Sequence, residues 1–172
     1  MKRIIVAVCL LGFIFGLGNV VMAQKAKFHS MFIYNFVKYI KWPDNFNTGS
    51  FVIAVVGNDD VYGNLLEMAV VKKEVNGMKL EVKKFNSVSD ITDCQVLYVA
   101  DEFCNEIDKV NSKTSGKPVL VITDKPGMAQ NGSTINFVEK DGKIKFELNQ
   151  SRADSRGLKV SSSLTSLAIV IS

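Results

Sequence analysis

Few residues of this chain are equipped for chemistry. His29 is the single histidine, which excludes any mechanism needing two imidazoles. Nucleophilic catalysis would have to pair it with a serine or cysteine, but no G-x-S-x-G elbow occurs. His29 lies beside Lys27 and Ser30 on what reads as the polar part of a helix, so a solvated surface histidine is expected. One histidine and widely separated cysteines give no soft-ligand metal cluster. The acidic pairs Asp59/Asp60 and Asp101/Glu102 lack the spacing of a calcium loop. The sharpest constellation is that of a phosphoryl receiver, with Asp59, Asp60 and Asp101 after strands and Thr123 and Lys125 after a later one. Thr123 and Lys125 sit two apart after the same strand, whereas a receiver supplies them from successive strands. Carboxylates capping helices, with Asp59 or Asp60 as an N-cap, are the expectation instead. Gly57 stands alone after a strand, with neither G-x-G-x-x-G nor a P-loop around it, and reads as a tight turn. No catalytic residue, cofactor or metal is expected.

Of the three cysteines, Cys94 opens a probable strand running to Val99 and Cys104 lies beyond its far end. At about 3.3 Å per residue that strand separates them by roughly 15 Å or more. A disulfide needs Cα atoms within about 7 Å. Cys94 is expected as a buried thiol and Cys104 as free or partly buried.

The elements that must position these residues alternate. Residues 25–41 read as a helix, with Phe28, Phe32, Phe36 and Ile40 at i, i+4 and Met31, Ile33, Val37 and Tyr39 widening the apolar face. Trp42-Pro43 ends it, since the residue before proline avoids the α region. Strands follow at 51–56, 78–85, 94–99 and 119–122, separated by helices at 60–71 and 105–113. The run 51–56 is apolar throughout, as in a strand covered on both faces. Residues 134–148 form a hairpin about Asp141-Gly142. A helical turn at 151–156 stops at Gly157, and 163–171 reads as a last short apolar helix. The expected fold class is α/β: a three-layer sandwich with a mainly parallel sheet and a C-terminal antiparallel hairpin.

The whole chain has 172 residues and a formal charge of +4, with no dense Lys/Arg run. That argues against nucleic-acid binding. Met1-Lys2-Arg3, the apolar run Ile4 to Phe15, the helix breakers Gly16, Gly18 and Asn19, and Val21-Met22-Ala23 read as a secretory signal peptide cut near Ala23. Cys9 lies inside the apolar run, which excludes a lipoprotein reading. Losing residues 1–23 removes Lys2 and Arg3 and no carboxylate, so the charge falls to +2. What remains, residues 24–172, is expected to be one exported domain with no transmembrane segment.

Two segments carry a resemblance. The first is Tyr34-Asn35-Phe36-Val37-Lys38-Tyr39-Ile40-Lys41-Trp42-Pro43, just after the leader. The second runs from Gly127-Met128-Ala129 through Gly132 to Val138 and Gly142 to Asn149. It closes on Gly157-Leu158-Lys159-Val160-Ser161-Ser162-Ser163-Leu164. Together they resemble the YfiR family of exported α/β proteins, with Cys94 to Val99 similar to its central strand. Ser133 stands where a second glycine is common, Asp154 replaces a frequently apolar position, and the second cysteine pair of some members is absent.

The resemblance implies a periplasmic, non-catalytic regulator that binds the extracytoplasmic domain of a membrane diguanylate cyclase or sensor kinase. Restraint of a cyclase would keep cyclic di-GMP low and disfavour biofilm. It would act by favouring one state of its partner. Phe28, Phe32, Tyr39 and Trp42 are the expected partner or homodimer contacts. The motif residues Asn35, Phe36, Trp42, Pro43, Asn149, Gly157, Leu158, Ser161 and Ser162 are expected to be structural. Asn149 would satisfy backbone groups after the hairpin, Gly157 would serve a positive φ, and Ser161, Ser162 or Ser163 would cap the last helix. The alternative function is a small-ligand sensor, with Asn58, Asp101 and Thr123 lining a crevice at the strand ends.

Overall fold

The structure, a computed structural model, describes residues 22–46 and 49–171. The expected signal peptide falls almost wholly on residues 1–21, outside the described part. In chain order the elements are α1 (22–39), β1 (Ile40–Lys41), β2 (Phe51–Val56), α2 (Asp59–Lys72), β3 (Glu74–Val75), β4 (Met78–Phe85) and β5 (Val96–Val99). A 3-10 segment, Asp101–Glu106, leads into α3 (Ile107–Lys113). Then come β6 (Leu120–Thr123), α4 (Met128–Asn131), β7 (Ile135–Lys140), β8 (Lys143–Asn149), α5 (Gln150–Ser155), β9 (Lys159–Val160), α6 (Ser162–Thr165) and β10 (Ile169–Ile171).

Eight strands form one sheet in the order β3-β4-β2-β5-β6-β7-β8-β10. The run from β4 to β7 is parallel, β3 is antiparallel to β4, β8 is antiparallel to β7, and β10 lies parallel to β8. The alternation of strand side chains sorts the core into two layers. Ile53, Val55, Tyr98 and Ile122 share one cluster with Ile33 and Phe36 of α1 and Val61 and Leu65 of α2. Ala54, Val56, Leu97, Val99 and Val121 share another with Ile107 and Val110 of α3. Every residue of β2 is buried, as strands covered on both faces must be. The three-layer α/β sandwich and its antiparallel hairpin are therefore present. That hairpin turns at Asp141-Gly142, with φ of 56° and 66°, the geometry a two-residue connection demands.

Four expectations are corrected. The last apolar stretch is not one helix. After α6, the residues Ile169, Val170 and Ile171 extend and pair with Glu147, Leu148 and Asn149. Three β-branched residues in succession satisfy the open edge of β8 better than they would a helix. The first helix ends at residue 39, because Ile40 and Lys41 leave it to pair with Val160 and Lys159. Neither Asp59 nor Asp60 caps α2. Asn58 does, with its side chain accepting from the Val61 N–H at 3.0 Å and its backbone at φ 39°, which asparagine tolerates. Lastly, β3 was not expected; it forms a second tight hairpin through Asn76-Gly77.

The segment after α1 and the segment after α5 meet in the short β1–β9 sheet, reinforced by the Ser161 N–H donating to the Tyr39 carbonyl at 2.9 Å. Gly157 turns the chain into β9 at φ 69°, and a Cβ there would lie 3.4 Å from Pro43 Cγ. Asn149 closes β8. Its Oδ1 accepts from the Arg152 N–H, capping α5, and its Nδ2 donates to the Ala129 carbonyl, both at 2.9 Å. Replacing Asn149 with alanine removes a cap and leaves a buried carbonyl unpaired. Urea denaturation should give a loss of about 2 kcal/mol, and Gly157→Ala a loss of about 1 kcal/mol from the left-handed backbone alone.

Candidate functional site

α1 lies across one face of the sheet with Ala26, His29, Ser30, Ile33, Phe36 and Val37 inward, and Ile40 of β1 is buried after them. This seam is rotated from the expected one, and the helix outside it is split between polar and apolar side chains. Phe28, Met31 and Tyr39 are 39%, 45% and 45% exposed, and Phe32 is half-buried. Trp42, expected among the partner contacts, is instead buried, edge-on to Phe51 with ring centroids 5.0 Å apart. It serves the fold at the end of α1. Asn35 is half-buried.

His29 is not a surface residue. It is 1% exposed, and its ring stacks on Phe137 of β7, with centroids 4.1 Å apart and planes within 5°. The imidazole packs as a small aromatic ring between helix and sheet. Phe32 and Phe36 continue the contact along α1 onto Phe137 and Phe146, and the Phe36–Phe146 pair meets at 4.9 Å. Ser30, also read as polar surface, is buried. It donates to the Ala26 carbonyl at 2.8 Å and lies 3.2 Å from the Val61 carbonyl of α2.

Around His29 lies a polar cluster. Its Nδ1 is 3.3 Å from the Tyr98 hydroxyl and 3.8 Å from Asp124 Oδ2. Lys25, one turn back along α1, reaches the same carboxylate at 3.6 Å. Burial, with the nearby Lys25 charge, lowers the His29 pKa from 6.5 to about 3. Burial raises the Asp124 carboxyl, opposed by hydrogen bonding from Tyr98 and by Lys25. Burial, then Asp124, pushes the Tyr98 phenol well above its usual range. His29 Nε2 and Asp124 Oδ1 have no partner. None of these residues except His29 was singled out from the sequence. A tyrosine inside a wholly apolar strand was the available signal, because its hydroxyl must find a buried partner.

The residues weighed for other chemistry are dispersed. Asp59 pairs with Lys84 at the surface, and Asp101 pairs with Lys125 at 3.1 Å. Thr123 is fully buried, its hydroxyl within 2.9 Å of Ser133 and 2.8 Å of Asn136 Oδ1. The expected ligand crevice falls between β2 and β5, where the direction of strand addition reverses. Glu102 and Phe103 pack against Gly57 there, where a Cβ would meet Glu102 Oε1 at 2.4 Å and the Phe103 ring at 3.0 Å, and Asp101 lines a cavity on the β7–β8 side instead. Cys94 and Cys104 are free, as expected, and both are buried, Cys104 more fully than expected. Burial pushes each thiol up to about 12, so neither is a ready nucleophile. Among the described residues no group of three or more His, Cys, Asp or Glu is placed to hold a metal.

The motif residues converge. β1 and β9 bring Trp42-Pro43 against Gly157-Leu158, with Leu158 buried and Ser161 capping α6 by accepting from the Leu164 N–H at 3.3 Å. A family model described as YfiR/HmsC-like matches residues 26–169. The chain belongs to the YfiR/HmsC-like family. No curated protein matches it. Among the described residues of this YfiR/HmsC-like domain, no helix is long and apolar enough to cross a membrane.

The buried histidine makes the domain's stability depend on pH. In the unfolded chain His29 takes up a proton below about pH 6.5, whereas in the folded state it stays neutral until about pH 3. The unfolded state thus binds more protons in this window, so the contribution is full above pH 6.5 and lost as the pH falls. Asp124 acts in the opposite sense at the acid end. Chemical denaturation at pH 7 and pH 5 should differ by about 2 kcal/mol more for the wild type than for His29→Phe, which keeps a ring on Phe137 but has no proton to gain.

Proposed function

We propose that this YfiR/HmsC-like domain is an exported, non-catalytic regulator. It binds the extracytoplasmic domain of a membrane signalling protein, a diguanylate cyclase or a sensor kinase, and restrains its activity. Membership of the family supports regulation in the periplasm, and the leader read in residues 1–23 supports export. With a cyclase as partner, the outcome is lower cyclic di-GMP and less biofilm.

The observation that carries this reading is the outer stripe of α1. Phe28, Met31 and Tyr39 are exposed along a helix whose opposite side is fixed to the sheet by the aromatic contacts. A rigid helix presenting apolar and aromatic side chains needs little reordering on binding. It fits a helix-in-groove or helix-on-helix contact with the partner. Binding that favours the inactive state of the partner shifts its equilibrium without any chemistry by the regulator. The same stripe is the surface through which a second copy would pair.

Met31→Glu with Tyr39→Glu places two charges on the stripe without touching the seam. Affinity capture from detergent-solubilised membranes should lose at least about tenfold of the integral membrane protein recovered by the wild type. That corresponds to about 1.4 kcal/mol, within the range of one or two interface anchors. The melting temperature should stay unchanged. Equal capture by the double variant would remove α1 as the contact face. Sedimentation at micromolar concentration should show any wild-type dimer shifted to monomer in the same variant.

A further inference from the structure

A cavity of about 800 Å³ opens between the N-terminal half of α1, the loop after β6 and the β7–β8 hairpin. Phe28, Phe32, Phe137 and Ile144 give it an apolar, aromatic wall beside charged side chains, and its volume is in the range of small-molecule sites. His29 and Asp124 also line it, and their Nε2 and Oδ1 are two of the four buried side-chain atoms among the described residues that have no hydrogen-bond partner, the others being on Trp42 and Thr134. Their side chains are 1% and 7% exposed. An unmet buried acceptor costs about 1–3 kcal/mol, so two beside one cavity demand an explanation.

Both atoms lack a donor. Asp124 Oδ1 is a carboxylate acceptor, and in the tautomer that donates from Nδ1 to the Tyr98 oxygen His29 Nε2 is an acceptor too. Lys25 contacts Asp124 only through Oδ2 and at 3.6 Å, longer than a hydrogen bond, with its side chain 43% exposed. Around the walls three carboxylates, Asp101, Asp124 and Glu139, face two lysines, Lys25 and Lys143. Asp124 is the one placed at depth.

We infer that this cavity is a binding site for a small primary amine bearing an aromatic or similarly bulky apolar body. The ammonium supplies three N–H donors, enough for both orphaned acceptors, and the phenylalanine rings cover the body and attract the cation through their faces. The site shares Phe28 with the docking stripe, but Met31 and Tyr39 do not line it. Its test uses the purified protein with no partner present, so either proposal can fail alone.

The probe is 2-phenylethylamine, compared with phenylacetate and 2-phenylethanol of nearly the same shape. Thermal-shift titration should give a saturable rise in melting temperature with the amine, following the stabilisation expected when a ligand binds only the folded state. The acid should give none, and the alcohol at least tenfold weaker binding. Asp124→Asn should remove most of the amine's effect. Ile144→Trp, which fills the cavity from its hairpin wall and leaves the polar floor intact, should remove it independently of any damage done by the first variant. No saturable shift at millimolar amine, an equal response to the acid or the alcohol, or retention of the shift in both variants would overturn the site.

Discussion

The fold depends on how α1 is held. Its inward side chains meet the sheet as a line of rings, with His29 on Phe137 and Phe36 against Phe137 and Phe146. Burying a large apolar side chain contributes roughly 2 kcal/mol, and aromatic pairing adds about 1 kcal/mol per contact. Without α1, the upper face of β5 to β8 would lie open to water. With α1 seated, β1 is delivered to β9, Trp42 covers Phe51, and the segment through Gly157 and Leu158 has something to close upon. The same seating decides what is left outside, because a helix fixed on one side presents its other side in a defined orientation.

Much of this order was legible in the residues. The run Phe51 to Val56 announced a strand covered on both faces, and Asp141-Gly142 announced a hairpin that does turn there. The family resemblance rested on segments that prove to touch in space, which is why they recur together in one chain. The errors share a cause: local pattern was trusted where a tertiary partner decides. Ile169 to Ile171 look as apolar as a buried helix, but β8 offers a free edge. Ile40 and Lys41 continue a helical pattern, but β9 captures them. His29 lies near Lys27 and Ser30 and was read with them as surface, although its ring matches Phe137 in shape and its Nδ1 meets Tyr98.

The site was harder to read than the fold for the same reason. Asp124, Tyr98 and His29 come from β5, α1 and the loop after β6, and no spacing along the chain relates them. At the crevice that the topology predicts, Glu102 and Phe103 pack against Gly57, and the open volume lies beyond β6, against the hairpin. Strand order alone says where a crevice is permitted. Which permitted place stays empty depends on a few side chains that enter or withhold themselves.

The pairing of Ile40 with Val160 has a consequence for how the chain comes into being. A polypeptide is made from its N-terminus, so α1 is made before every strand of the sheet it packs on. Its rings have no berth until β7 and β8 exist, and β1 has no mate until β9 follows. Closure is therefore deferred until β9 has been made, with an aromatic segment waiting unshielded until then. Any factor that escorts the unfinished protein meets that segment first, and the completed fold withdraws its inner side only when the tail arrives.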